Sequence, residues 1–166
     1  EGTSISVHDD DPGAGVPHEV RRGEPVVAAH VQHEPVAPVA ARKGVAVGYE
    51  LGDGVPDAIV GDVGRLRQIV LNLLSNAVKF IDRRPGKIAV TCQTTADACT
   101  LCVADSGPGI PPDELERVFV PFRRLPQHRD RPGSGLGLYF AKTLVDQQGG
   151  RIWAESAPGE GTRIFV

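Results

Sequence analysis

One stretch constrains this chain more than any other: "DVGRLRQIVLNLLSNAVKF", running from Asp62 to Phe80. Leu66, Ile69, Val70, Leu73, Leu74 and Ala77 recur with the period of one apolar helix face. Asp62, just ahead, is a good side-chain N-cap. The other face carries chemistry. Asn72, Asn76 and Lys79 stand at i, i+4 and i+7, which places two amides and an ammonium together. Carbonyl oxygens suit Mg²⁺, and an ammonium suits phosphate as a point charge. A solvated polar face is the alternative reading of the same residues.

The remaining segments give this helix something to pack on. "VAVGYEL" (Val45 to Leu51) reads as a strand, and "GDGVP" after it as a turn. Lys87 to Thr95 and Ala98 to Asp105 read as two strands of a hairpin, with "RRPG" as the turn before them. Pro112 to Phe119 reads as a short helix. Arg123 to Gly135 has no period and reads as a loop. Leu136 to Gln148 reads as a helix stopped by Gly149 and Gly150. Arg151 to Ser156 and Thr162 to Val166 read as strands around "APGEG". The expected fold class is an α/β (α+β) two-layer sandwich, with a mixed, mostly antiparallel sheet packed on helices. No internal repeat is visible.

The N-terminal part is less regular. Residues 1–22 are rich in Asp, Gly and Pro and read as a flexible or linker segment. Residues 23–166 read as the domain. Glu24 to Lys43 has roughly helical apolar spacing, but Pro35 and Pro38 imply a broken or kinked helix, because an interior proline removes a donor and clashes with the preceding turn. The chain stops inside a strand-like run, as an excerpt of a longer protein would.

Composition excludes several classes. A chain of 166 residues, 40% hydrophobic and 23% charged, is long enough for one well-packed domain. No apolar run approaches the roughly 20 residues of a membrane span, and no signal peptide is visible. A net charge of −3 argues against broad nucleic-acid binding. Cys92, Cys99 and Cys102 suggest a reducing compartment; Cys99 and Cys102 form C-x-x-C, but further metal ligands are not nearby, so packed strand thiols are the better reading.

Two more motifs complete the picture. "DSGPGI" begins at Asp105, where an apolar strand ends in an acid followed by Gly107 and Gly109. "GSGLGLYFAK" (Gly133 to Lys142) is a glycine-rich turn opening a helix, where free N–H groups and the helix dipole favour anions. It lacks the G-K-[ST] ending of a P-loop. An ionised Asp105 is an acceptor only, able to take a donor group of a ligand beside the two glycines. A turn-initiating carboxylate is the plainer alternative.

In this order and spacing the motifs resemble the ATP-binding catalytic domain of sensor histidine kinases. That group has the Bergerat ATP fold, shared with gyrase-type ATPases and Hsp90-type chaperones. "NLLSNAVKF" resembles the N box, "DSGPGI" the G1 box, "VFVPF" the F box, "GSGLGL" the G2 box and "GTRIF" the closing strand. The likeness covers about Asp62 to Val166, and more loosely the chain from Glu24. It implies Mg²⁺ on Asn76 and Asn72, a phosphate on Lys79, and adenine on Asp105 beside Gly107 and Gly109. It further implies that Gly133, Gly135, Leu136, Gly137 and Leu138 approach the polyphosphate, and that Thr162 helps orient Asp105. The stretch from Phe119 to Gly133 would be an ATP lid. Its Arg123, Arg124, Arg129 and Arg131 are either γ-phosphate ligands or a solvated basic loop, and Phe119 and Phe122 either anchor the lid or pack in the core.

The resemblance also says what to look for elsewhere. The phospho-accepting histidine of such kinases lies on a separate helical dimerisation domain. "HEPVAPV" at His33 shares part of that pattern, but it stands only 39 residues before Asn72 and carries a proline, so the accepting histidine is expected outside this chain. His33 is expected in the first helix of the domain. Partners implied are ATP, that helical domain and a response regulator, with dimerisation confined to a full-length protein and no membrane contact by this domain. The implied setting is cytoplasmic, alone or as the cytosolic part of a membrane-bound sensor. An ATP-hydrolysing relative and a degenerate interaction module are the alternatives. Asn72 speaks against hydrolysis: hydrolytic relatives place a glutamate there, and a neutral amide is no general base.

Overall fold

The structure, a computed structural model, describes residues 36–51, 62–82, 85–95, 98–125 and 133–166. Its first described element is α1 (Val36–Lys43), followed by β1 (Val45–Leu51), α2 (Val63–Phe80), β2 (Gly86–Thr94) and β3 (Cys99–Asp105). Two short 3₁₀ turns, Pro112–Glu114 and Arg117–Phe119, lead to α3 (Gly137–Gln147), β4 (Trp153–Ser156) and β5 (Thr162–Phe165). Pro38 lies in the first turn of α1, where its missing N–H costs nothing. The expectations for residues 1–35, including His33, and for the "GDGVP" turn lie outside the described residues.

The strands form one sheet in the order β1-β2-β3-β5-β4. β1 runs parallel to β2 across the α2 connection, and the other three pairings are antiparallel. The helices cover one face, giving the expected two-layer sandwich. Ile69, Leu73 and Leu74 of α2 meet Ile88 of β2 and Val145 of α3 in the least exposed part of the core. The expected helical stripe is therefore the packing face.

Both ends of α2 are fixed. The Asp62 side chain accepts from the Arg65 N–H at 2.9 Å, as an N-cap does. At the other end the Lys43 ammonium donates to the carbonyls of Val78 and Lys79, each at 2.9 Å. Those carbonyls belong to the last turn, which has no intrahelical donors left for them. The end of α1 thus holds the end of α2 that carries Lys79.

One expected element differs. Pro112 to Phe119 is two 3₁₀ turns instead of a single helix. Glu114 N–H closes on Pro111 and Val120 N–H on Arg117, both i to i−3. Glu114 is drawn inward to an arginine, and that long-range tie fixes a segment too short to sustain an α-helical ladder.

Candidate nucleotide site

The C-terminal end of β3, one edge of α2 and the start of α3 converge on a cleft of about 320 Å³. Its lining includes Asn76 and Lys79 from α2, Asp105 from β3, Gly109 from the following loop, Gly135 and Gly137 from the glycine-rich turn, and Thr162 from β5. Gly133 and Leu138 line it as well. The motifs separated along the sequence thus meet at one place.

Asp105 is the last residue of β3 and pairs with Thr162 across the sheet. Its Oδ1 accepts the Gly107 N–H at 2.7 Å. Burial raises its pKa above the ordinary carboxylate value, while the backbone N–H groups of Gly107 and Thr162 pull it back down. The carboxylate is thus desolvated and aimed by backbone, with lone pairs still available for a ligand donor. Gly107 is required by this closeness: a Cβ there would lie 2.6 Å from Asp105 Oδ1. Gly109 has φ +76°, and a Cβ there would run into the Ala157 carbonyl of the β4–β5 turn.

The same turn is stitched to the Asp105 loop by Ser156. Its hydroxyl accepts the Ile110 N–H at 2.8 Å, donates to the Gly161 carbonyl at 2.5 Å, and lies 3.2 Å from the Thr162 hydroxyl. Sequence reasoning gave Ser156 no role. It is the last residue of a short strand, and only the register with Thr162 reveals what it joins.

On α2 the three polar residues separate. Asn76 and Lys79 line the cleft, whereas Asn72 does not. The Asn72 Oδ1 accepts from Gln68 Nε2 at 3.1 Å, one turn earlier. Lys79 Nζ stands 4.8 Å from the centre of the Phe80 ring. Gly137 opens α3 against Asn76: a Cβ at Gly137 would sit 2.9 Å from Asn76 Nδ2. Leu136 precedes α3 without a side-chain cap, so the first N–H groups of α3 remain available to an anion.

Asn76 tests the fit of Mg²⁺. An amide oxygen at the cleft is a hard donor of the right kind. Among the described residues no cluster of three His, Cys, Asp or Glu exists that would cage a cation. An ion there would depend on phosphate oxygens and water for most of its ligands, which is how Mg²⁺ ordinarily binds. The donor set therefore fits a nucleotide-borne Mg²⁺.

The start of the expected lid is tied to the turn that follows it: the Phe122 N–H donates to the Gly135 carbonyl at 3.1 Å. Phe119 packs against the core, whereas Phe122 is 73% exposed, with φ 61°. Core packing thus holds for the first phenylalanine and fails for the second. Arg123 and Arg124 line the cleft; Arg129 and Arg131 lie outside the described residues. Arg123 is more than a solvated cation. It forks onto the buried Glu114, Nε to Oε2 at 3.1 Å and Nη2 to Oε1 at 2.5 Å, with Arg117 Nη1 at 3.4 Å. This pairing, with Arg123 foremost, lowers the Glu114 pKa below its ordinary value. Nothing in "PPDELER" singles out Glu114 before its partner nine residues later is known.

Residues 61–166 match the family described as histidine kinase-, DNA gyrase B- and HSP90-like ATPase. The chain belongs to this family. It is 45% identical, over 62% of its length, to the adaptive-response sensory kinase SasA of Parasynechococcus marenigrum (strain WH8102), and spans 27% of that protein. Full-length ShkA, solved in complex with AMPPNP, superposes with a TM-score of 0.71 at 31% identity, over 86% of this chain and 29% of that one. The catalytic domain of histidine kinase ThkA superposes with a TM-score of 0.69 at 25% identity, over 84% of this chain and 88% of that domain. This family member is thus built as a histidine kinase ATP-binding catalytic domain, and both the resemblance and the fold class read from the sequence hold. No helix among the described residues is long and apolar enough to cross a membrane.

Proposed function

We propose that this domain binds Mg-ATP in the cleft and donates the γ-phosphoryl group to a histidine on a separate helical domain, for relay to a response-regulator aspartate. The observation that carries the reading is Asp105: a half-buried carboxylate at the cleft, oriented by two backbone N–H groups. It accepts the adenine amine, and guanine would set a carbonyl against it. Thr162 backs it from β5.

The rest of the site serves the polyphosphate. Lys79 meets a phosphate oxygen. The turn from Gly133 and Gly135 through Leu136, with the N–H groups of Gly137 and Leu138, wraps the charge at the start of α3. Asn76 is the direct Mg²⁺ ligand, and Asn72 joins the ion or a phosphate once its amide leaves Gln68. Bound there, Mg²⁺ neutralises charge developing on the transferring phosphoryl group. Arg124, or Arg123 once it leaves Glu114, reaches toward the γ-phosphate from the base of the lid.

Asn72 gives the family member a direction. With an amide where hydrolytic relatives carry a glutamate, bound water has no activator, so transfer to a positioned acceptor outruns hydrolysis. The acceptor-bearing helices dock against exposed apolar side chains, of which Val120 and Phe122 precede the glycine-rich turn and Phe140 follows it in α3. ATP as phosphoryl donor places the domain in the cytosol.

The test is incubation with γ-labelled ATP, alone and with a helical dimerisation domain that carries the accepting histidine. Label on that histidine, acid-labile, with little free phosphate from the chain alone, is expected. Brisk phosphate release by the chain alone, abolished in Asn76→Ala, would make it an ATPase.

A further inference from the structure

We propose that Cys92 and Cys99 form a reversible dithiol–disulfide pair, a modification site for peroxide-class oxidants at the opposite end of β3 from the nucleotide cleft. The C-x-x-C spacing points to Cys99 and Cys102, but an odd separation along a strand sends those two side chains to opposite faces. The register brings a different pair together. Cys92 of β2 pairs with Leu101 of β3, and Cys99 lies two residues earlier on the same face. Strand twist closes that diagonal, and the two Sγ atoms stand 3.3 Å apart. A disulfide needs about 2.05 Å, so about 1.3 Å of further approach completes the bond.

The two thiols differ in a way that orders the chemistry. Cys99 is exposed, whereas Cys92 is buried. Burial, helped by the hydrogen bond with Cys99, pushes the Cys92 thiol up to about 12, so Cys92 keeps its proton. Cys99 therefore meets the oxidant. Its thiolate attacks one peroxide oxygen and the O–O bond breaks, leaving a sulfenic acid on Cys99 and a hydroxide that takes a proton to become water. Cys92 sulfur then attacks the sulfenic sulfur. The S–O bond breaks as the S–S bond forms, and the Cys92 proton leaves with the departing hydroxide as a second water. Each sulfur has lost one electron and each peroxide oxygen has gained one.

The site lies away from the proposed chemistry. Six residue steps of strand run from Cys99 to Asp105, about 20 Å at the usual rise. The bond would close a short ring around the β2–β3 connection and constrain the unfolded chain. Oxidation is therefore expected to raise the melting temperature by a few degrees and to change nucleotide affinity less than about twofold.

The test is titration of the whole chain with hydrogen peroxide, followed by thiol counting and peptide mass analysis without reduction. Expected are a fall from three free thiols to one, loss of two hydrogens, a Cys92–Cys99 cross-linked peptide, and full reversal by dithiothreitol. Cys102→Ser should behave as wild type in cross-linking. In Cys99→Ser, Cys92 should remain a thiol at the same peroxide dose. Phenylarsine oxide, which bridges paired thiols, reads the same geometry in the unaltered chain and should block the cross-link at one equivalent. Accumulation of sulfinic acid on Cys99, or dimers linked through it, with Cys92 still free, would overturn the proposal.

Discussion

The Gly107 N–H donates to Asp105 Oδ1 at 2.7 Å, across a turn so tight that a Cβ on Gly107 would lie 2.6 Å from that oxygen. The hydrogen bond that aims the carboxylate thus depends on the absence of a side chain. Gly107→Ala should turn Asp105 away from the cleft. A charge-assisted hydrogen bond contributes about 1.5–3 kcal/mol, so ATP affinity should fall roughly 10- to 100-fold. Calorimetric titration with ATP, beside a thermal melt, separates this from unfolding; unchanged affinity in the folded variant would contradict the assignment.

Asp105 also links function to stability. Burial raises its folded-state pKa above the ordinary 3.8, so the folded protein holds this proton more tightly than the unfolded chain. That contribution is present below the ordinary value and is lost as pH rises through the folded one. Asp105→Asn, uncharged at every pH, should therefore melt at or above wild type at neutral pH. The gap should close on acidification through the raised folded-state value toward 3.8. Melting curves across this range check the sign, and a variant less stable at neutral pH would contradict it.

Glu114 should behave in the opposite sense. Pairing with Arg123 lowers its folded-state pKa below the ordinary 4.5. Its contribution is present above that value and disappears as pH falls through the folded one. Glu114→Gln should lower the melting temperature at neutral pH, and the difference should vanish in acid. Release of the Arg123 fork should also loosen the base of the lid, read as faster amide exchange at Val120 and Phe122 N–H groups.

Asn76 lies at the cleft and outside the apolar stripe, so its loss should affect ligand more than fold. Asn76→Ala should lose most of the difference in ATP affinity between Mg²⁺ and EDTA, with melting shifted only slightly. Gly137→Ala, which would place a Cβ 2.9 Å from Asn76 Nδ2, should give a weaker version of the same loss. A large drop in stability with unchanged Mg²⁺ dependence would mark Asn76 as structural.

Much of this arrangement was legible in the sequence. The α2 boundaries followed from the Asp62 cap and the apolar period, because both signals are local. Asp105 stood out because a strand, an acid and glycines follow one another directly. Properties created by pairing between distant segments were hidden. Helical spacing put Asn72 and Asn76 on one face, but whether each reaches the cleft depends on Gln68 and on how α2 sits against α3. Glu114 carries no local signal, because its partner Arg123 stands nine residues on. The cysteines read as packed strand thiols despite the C-x-x-C of Cys99 and Cys102, whereas hairpin register brings Cys99 to Cys92. The same register, between β4 and β5, is what gives Ser156 its place beside Thr162.

The most direct measurement of the central claim is competition. A fluorescent ATP analogue is bound to the wild-type chain with Mg²⁺ and displaced by unlabelled ATP or GTP. Both carry the same polyphosphate, so the comparison isolates the base at Asp105. Two opposed acceptors left unpaired in a buried site cost about 1–3 kcal/mol or more. ATP should therefore displace the probe at concentrations roughly 10- to 100-fold lower than GTP, and Asp105→Asn should narrow the gap. Equal displacement by ATP and GTP in the folded wild-type chain would contradict the account.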